Sequence, residues 1–305
     1  MIYKSILGAI GNTPIVYLEK YSSKFDVNVY AKMESLNPGG SHKVRIALNM
    51  IADAQKRGIL VPHTGQTIIE PSGGNTGMGL AIVSNLLGYN LILVIPDNYS
   101  LEKQKLLRLF GAEVVLSNSL QGNNSHGELA MKITLNNPDY VLLNQQRNPA
   151  NPDAHRRSTA IEIVRDFSGK AIDFLVAGIG TGGHITGLTE TLKMHWPKLS
   201  VFGVEPDNCD LLSNKHGRHD IQGLSIGVIP DTLDVEVLSG MVKVTTEECL
   251  SMVREIILTE SISLGISSAA NLVAISKLSK NTIPSGSNVL TMIYDGVDSY
   301  LDYFN

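Results

Sequence analysis

Cysteine, tryptophan and long apolar runs are all scarce in this chain of 305 residues. Its two cysteines, Cys209 and Cys249, do not form a CxxC pair and cannot make a disulfide framework. No run of about 20 apolar residues is present to span a bilayer, and the first residues lack the apolar core of a signal peptide. We therefore expect a cytoplasmic protein with reduced thiols and no membrane partner.

A strong charge of one sign is also missing. The formal net charge is −4, and charged residues make up 18% of the chain. This balance offers no general attraction for nucleic acid, so a small molecule is the expected partner. The chain is longer than one ordinary core requires, which predicts two lobes with a binding cleft between them.

Apolar strand patterns alternate with amphipathic helix patterns along most of the chain. This alternation predicts an α/β fold in which each lobe is a mostly parallel twisted sheet covered by helices. We expect an N-terminal lobe over residues 1–144 and a C-terminal lobe over residues 145–305. The active site is expected in the cleft between the lobes.

A lysine follows a Gly-Gly loop at the start of a helix predicted over residues 44–56. The surrounding stretch, residues 37–45, reads NPGGSHKVR. Most lysines only keep a protein soluble, but the positive end of a helix dipole disfavours the charged form of Lys43. A neutral amine can form a Schiff base with a carbonyl cofactor such as pyridoxal phosphate. Lys43 alone does not establish this chemistry.

A second glycine-rich loop lies between a predicted strand and a helix predicted over residues 75–87. The free backbone amides at a helix start favour a negative group such as a carboxylate. Ser72 and Thr76 add hydroxyl donors, and the side-chain amide of Asn75 can hydrogen-bond a phenolic oxygen. By itself the loop would also make an ordinary helix entrance. The candidate residues are Ser72, Gly73, Gly74, Asn75 and Thr76, with Gln145 at the end of a later strand.

A third loop, residues 178–184, reads GIGTGGH and also joins a predicted strand to a predicted helix. Its amides suit a phosphate group. The same residues satisfy GxGxxG, and Glu205 ends the next strand, so a nicotinamide-dependent dehydrogenase is an open alternative. That alternative leaves Lys43 and the loop containing Ser72 without a role, whereas pyridoxal phosphate chemistry uses all three loops.

His216 and His219 have a spacing that could suggest a metal site. No carboxylate or cysteine accompanies them in a recognisable zinc pattern, so no metal is expected.

Together these motifs resemble the cysteine synthase and cystathionine β-synthase family of pyridoxal-phosphate enzymes, which have fold type II, the tryptophan synthase β-like fold. The likeness runs nearly end to end. It is carried by NTP at 12–14, residues 37–45, SGGNTG at 72–77, NPANP at 148–152, GTGG at 180–183, GVEP at 203–206, IQG at 221–223 and GISS at 265–268.

The resemblance implies a role for each candidate residue. Lys43 would bind the cofactor aldehyde and act as acid and base, and Asn75 would contact the cofactor's 3-hydroxyl group. The substrate carboxylate would be held by the loop containing Ser72, together with Gln145. The remaining cofactor contacts would come from Gly180, Thr181, Gly182, Gly183, His184 and Gly296.

The resemblance also implies β-replacement or β-elimination on a serine or cysteine derivative through an α-aminoacrylate. Synthesis of cysteine and acetate from O-acetylserine and sulfide is the leading expectation. Cysteine desulfhydration, cystathionine synthesis and diaminopropionate synthesis stay open, as does a sensor that binds without catalysis. A homodimer is implied, with residues 36–144 as a mobile subdomain and strands within 13–34 pairing with the C-terminal sheet.

Several positions depart from the family pattern. Gly73 lacks an expected hydroxyl group, and His184 stands in place of a threonine. Gln146 replaces an aromatic residue and Ser225 replaces a glycine. The alignment puts Gly296 where a serine usually faces the pyridine nitrogen, and a shift of one residue would put Asp295 there instead.

Overall fold

The computed structural model describes residues 2–122, 124–225 and 227–304. The chain forms two compact units. The first contains Asn37–Ala154 and the residues up to Ile10, and the second contains Gly11–Leu36 and the residues from His155 onward. This division lies beyond the predicted boundary at residue 144 because the intervening segment is bonded to the first unit. For example, Asn49 Nδ2 donates to the carbonyl of Ala150 at 2.7 Å.

Strands and helices alternate through both units. The strands are β1 Ile15–Tyr17, β2 Asn28–Met33, β3 Thr67–Glu70, β4 Asn90–Pro96, β5 Glu113–Ser117, β6 Val141–Leu142, β7 Phe174–Gly178, β8 Ser200–Pro206, β9 Gly240–Val244 and β10 Asn288–Ile293. The α-helices are α1 Glu19–Phe25, α2 Lys43–Lys56, α3 Asn75–Leu87, α4 Leu101–Leu109, α5 Ser125–Asn136, α6 Ala150–Ala154, α7 Ala160–Asp166, α8 Gly183–His195, α9 Thr246–Glu260 and α10 Ile266–Leu278.

The first unit is built on a four-stranded parallel sheet with the order β5-β4-β3-β6. β4 is almost continuously buried, as expected for a strand in a parallel sheet covered on both faces. Helices α2 and α3 contribute buried apolar side chains to one core, including Ile46, Met50 and Leu80. This packing fixes the two helices whose first residues carry candidate functional groups.

The second unit contains a six-stranded sheet with the order β1-β2-β10-β7-β8-β9. β1 pairs antiparallel with β2, whereas the other neighbours are parallel. The early strands of the chain thus lie beside its last strand. β7 leads directly into the glycine-rich loop before α8.

The predicted α/β class with mostly parallel sheets is confirmed. Thr245 and Glu248 have the spacing of a capping box in the sequence, and the structure forms it at the start of α9, with Glu248 N donating to Thr245 Oγ1 at 3.1 Å. In the described ranges, no helix combines the length and apolar character needed to cross a membrane.

Three elements differ from the sequence prediction. Helix α1 and strand β9 were not predicted, because both are short and neither has a clear apolar period. The sequence also predicts one helix over residues 153–166, and the structure interrupts it with one π-helical turn, His155–Thr159.

Candidate active site

Lys43 is the first residue of α2, and its side chain is half-buried. Its backbone amide donates to Ser41 Oγ at 3.4 Å. Helix α3 passes close by: a Cβ at Gly79 would lie 2.9 Å from Val44 Cα and 3.1 Å from the Lys43 carbonyl oxygen. Only glycine permits this approach, which places the start of α2 directly against α3.

The loop before α3 leaves the helix start without a side-chain cap, because Gly74 occupies the cap position. Such a start presents backbone amides and the positive end of the helix dipole to an anion. In the first turn, the buried Thr76 hydroxyl donates to Gln145 Oε1 at 2.7 Å. The structure therefore brings Gln145 to the loop that the sequence assigned to the same carboxylate.

Glu70 holds the backbone next to Gln145. Its fully buried carboxyl group accepts hydrogen bonds from Asn144 N at 2.8 Å and Gln145 N at 3.0 Å. Desolvation raises the pKa of Glu70 to about 7, although these two hydrogen bonds act in the opposite direction. The sequence analysis gave Glu70 no role, and its only signal was an acidic residue at the end of a buried strand.

The departure at Gly73 has a steric explanation. A Cβ at this position would lie 2.6 Å from Ile95 Cγ2 and 3.0 Å from Tyr99 Cε1. Burial raises the pKa of Tyr99 to about 12. The tyrosine ring fills space beside the loop that a larger residue at Gly73 would need.

In the second unit, residues 178–184 lie between β7 and α8. Gly182 has a φ of 77° and provides no side-chain cap for α8. A Cβ at Gly180 would lie 2.3 Å from the carbonyl oxygen of Gly223. Any other residue would force the two loops apart, so the glycines form a tight backbone cradle at a helix start.

The buried His184 ring lies among other aromatic rings rather than in solvent. It makes edge-to-face contacts with Tyr294 and His155, at centroid distances of 5.3 Å and 5.4 Å. The Tyr294 hydroxyl accepts a hydrogen bond from Gly178 N at 2.9 Å, and burial raises the pKa of this phenol. Tyr294 therefore supports the first residue of the glycine-rich loop.

Thr181 follows Gly180 in the same loop and is also buried. Its carbonyl oxygen accepts a hydrogen bond from Thr232 Oγ1 at 2.5 Å, which ties the loop to a later segment of the unit.

Asp295 and Gly296 follow β10. The Asp295 carboxylate accepts a hydrogen bond from the Tyr300 hydroxyl at 2.7 Å. A Cβ at Gly296 would lie 3.1 Å from Ser263 Oγ. Side-chain oxygens therefore leave little room beside Gly296, and the Asp295 carboxylate is hydrogen-bonded to Tyr300 of the C-terminal segment.

Glu205 does not support the dehydrogenase alternative. Its carboxylate is 2% exposed and accepts a hydrogen bond from Leu211 N at 2.7 Å. A ribose-binding acid must offer its oxygens to the ligand. Glu205 instead closes the turn that follows β8.

The residues present fit a phosphorylated aldehyde cofactor. The cradle around Gly180 leaves no room for a side chain, α8 begins without a side-chain cap, and Lys43 supplies a primary amine. A family model described as "Pyridoxal-phosphate dependent enzyme" matches residues 6–295. The chain belongs to this family of pyridoxal-phosphate-dependent enzymes.

Individual relatives confirm the resemblance to the cysteine synthase and cystathionine β-synthase family. The chain is 40% identical over 301 residues to cysteine synthase B of Campylobacter jejuni, covering 98% of this chain and 97% of that one. It is 39% identical over 313 residues to cystathionine beta-synthase of Apis mellifera, covering 99% of this chain but only 61% of that relative's length. A crystal structure of O-ureido-L-serine synthase superposes with a TM-score of 0.94 at 36% identity, covering 99% and 94% of the two chains.

Proposed function

We propose that this enzyme makes cysteine and acetate from O-acetylserine and sulfide. The observation that carries the proposal is the packing of α2 against α3 at Gly79, which sets the backbone of Lys43 against the helix that begins at the carboxylate-binding loop. The hydrogen bond from Thr76 to Gln145 strengthens that loop. Relatives named cysteine synthase support the same reaction.

In the first unit, the residues bind the amino acid and move its proton. Pyridoxal phosphate, when bound, supplies an electron sink for the charge that develops at the substrate Cα. The Lys43 amine accepts the α-proton and returns it at the end of the reaction. Amides at the start of α3, with the side chains of Ser72, Thr76 and Gln145, hold the carboxylate, and Asn75 contacts the cofactor's 3-hydroxyl group. Fixing the carboxylate fixes the direction of the Cα–H bond.

In the second unit, the glycine-rich loop holds the cofactor's phosphate group. The backbone amides of Gly180, Gly182 and Gly183 lie at the start of α8, where the helix dipole is positive. Both the amides and the dipole stabilise the negative charge of the phosphate group. Thr181 adds a hydroxyl donor and His184 adds a ring nitrogen. Gly296 offers no side-chain group to the ring nitrogen of the cofactor.

Lys43→Ala tests the assignment of the amine. We expect the purified variant to lose the near-visible absorbance of the bound cofactor and the synthesis of cysteine. Borohydride reduction of the wild type should leave the cofactor mass on the peptide containing Lys43. Lys56→Ala, at the exposed opposite end of α2, is the matched control. Reduction that labels another lysine, or wild-type activity in Lys43→Ala, would disprove the assignment.

The crowding of Gly73 by Tyr99 favours a second set of reactions at the same site. A changed carboxylate loop is compatible with cysteine desulfhydration, cystathionine synthesis or diaminopropionate synthesis. Incubating the enzyme with O-acetylserine, O-phosphoserine, serine and cysteine, each with sulfide, thiols or amines, will identify the pair turned over fastest. Release of sulfide from cysteine, with no product from O-acetylserine, would replace the first proposal by desulfhydration.

We also propose a homodimer that works in the cytoplasm on a small amino acid and a small nucleophile. This rests on the family resemblance and on the scarcity of cysteine. Sedimentation equilibrium tests the homodimer, and a monomer at micromolar concentration would contradict it. Cell fractionation tests the cytoplasmic location.

A further inference from the structure

Three metal-binding side chains meet in the loop that follows β8. Cys209, His216 and His219 each offer one ligand atom, and these atoms all lie within 4.8 Å of one another. The sequence shows no cysteine beside the two histidines in a zinc pattern, so no metal is expected from it, but folding of the loop brings Cys209 to them. We propose that these three side chains bind a zinc ion.

His219 has the arrangement of a ligand held ready for a metal. Its Nδ1 atom is buried and has no hydrogen-bond partner among the described residues. Burial lowers the pKa of His219, and a hydrogen bond to the backbone of Ser225 acts in the opposite direction, as a ring N–H donating to the carbonyl does. The amide of Ser225 is used elsewhere, because it donates to the Ile179 carbonyl at 2.9 Å. Metal-binding histidines commonly donate their second nitrogen to such a carbonyl, leaving the first for the ion.

Cys209 and His216 supply the other two positions. Cys209 Sγ lies 3.9 Å from His216 Nδ1, and the two histidine rings lie 5.6 Å apart between centroids. Around zinc, sulfur and nitrogen ligands sit at about 2.3 Å and 2.0 Å from the ion, so the cluster must contract slightly on binding. The exposed His216 ring can make this movement, whereas the buried Cys209 stays fixed.

The chemistry of the donors selects the ion. One sulfur and two imidazoles suit zinc better than calcium or magnesium, which prefer oxygen ligands. Binding converts the thiol to a thiolate, and its proton passes to solvent. No fourth His, Cys, Asp or Glu joins the group within the described ranges, so water or a small anion completes the tetrahedron.

A zinc ion here would fix a loop that touches the proposed phosphate cradle. The Gly223 carbonyl packs against Gly180, and Ser225 bonds to Ile179 in the same cradle. We therefore expect zinc to raise the thermal stability of the cofactor-loaded protein. The metal content itself does not depend on the reaction that the enzyme catalyses, so failure of this proposal and failure of the proposed function can be told apart.

The test uses the full chain with its cofactor, stripped with a chelator, reloaded with zinc and desalted. We expect about one zinc per chain by mass spectrometry, and cobalt substitution should give a thiolate-to-cobalt charge-transfer band. Cys209→Ser should abolish that band. His216→Ala, at an exposed position that leaves the core intact, should weaken zinc binding at least about 10-fold. The exposed His195→Ala should bind zinc like the wild type.

The proposal fails if the reloaded wild type holds no more zinc than His216→Ala. If His195→Ala loses as much zinc as His216→Ala, zinc binding is non-specific and the proposal is also overturned. Stoichiometric zinc with no charge-transfer band on cobalt substitution would remove Cys209 from the ligand set.

Discussion

Replacing Glu70 by glutamine tests whether a buried carboxyl group holds the backbone beside Gln145. The two oxygens of Glu70 accept hydrogen bonds from consecutive amides, those of Asn144 and Gln145. Glutamine keeps the size of the side chain but replaces one oxygen by an NH2 group, which donates. One backbone N–H then faces another donor, and a buried donor without a partner costs about 1–3 kcal/mol.

The pH dependence of this cost follows from the pKa of Glu70. Burial raises that pKa from 4.5 in the unfolded chain to about 7 in the folded protein. Between these values the folded state holds a proton on Glu70 that the unfolded chain has lost, so the contribution of Glu70 to wild-type stability is greatest below pH 4.5 and falls as pH rises to 7. At about 1.4 kcal/mol per pKa unit, the loss is about 3 kcal/mol. The side-chain amide of the Glu70→Gln variant does not titrate, so the variant does not lose this stability as pH rises.

We therefore expect Glu70→Gln to be less stable than the wild type at pH 5, with a deficit that shrinks by about 2.5 kcal/mol towards pH 8. Urea unfolding of both proteins at pH 5, 6, 7 and 8 measures this difference. Glu113→Gln, an exposed change on β5 of the same sheet, provides the control and should follow the wild type throughout. If the curves for wild type and Glu70→Gln run parallel across this range, Glu70 does not titrate as the burial argument requires.

Three further changes probe the two loops. Thr76→Val should weaken binding of amino-acid carboxylates about 5- to 10-fold by equilibrium titration, because Gln145 loses a net contribution of about 1 kcal/mol, and Thr76→Ser should restore it. Gly180→Ala should prevent tight cofactor binding in a fluorescence titration, since its Cβ would meet the Gly223 carbonyl oxygen at 2.3 Å; near-normal affinity would contradict the steric argument. Tyr294→Phe should lower the stability measured by urea unfolding by about 1–3 kcal/mol, because a buried amide at the start of the glycine-rich loop loses its acceptor.

Local patterns predicted much of this fold because glycine-rich loops and buried parallel strands leave clear signals. The start of α3 was predicted at Asn75, as observed, and the capping box of α9 was read from Thr245 and Glu248. Strand β9 has only one fully buried residue, Val244, and its pairing with β8 is a non-local contact, so the sequence holds little sign of it.

The site residues that the sequence missed act across long sequence separations. Glu70 bonds to amides more than seventy residues away, and Tyr99 occupies the space beside Gly73 from the far end of the next strand. Tyr294 supports Gly178 across more than a hundred residues. A motif names the residues that follow one another in a loop, but it does not name the side chains that other elements bring to that loop.

The helices of this chain begin in different ways, and the starts of α3 and α8 leave backbone amides open to a ligand. Ser100 and Thr245 cap α4 and α9 with their own side chains, so the first amides of those helices are occupied. Gly74 and Gly182 precede α3 and α8 and cannot do this. Gly265, before α10, is small for another reason, since a Cβ there would meet a carboxylate oxygen at 2.0 Å. Other helices, such as α5 and α7, also begin without a side-chain cap, but Asn124 and Thr159 precede them. At α3 and α8 a glycine-rich loop follows a buried strand and leads into the uncapped start, as expected if an anionic ligand binds the first amides.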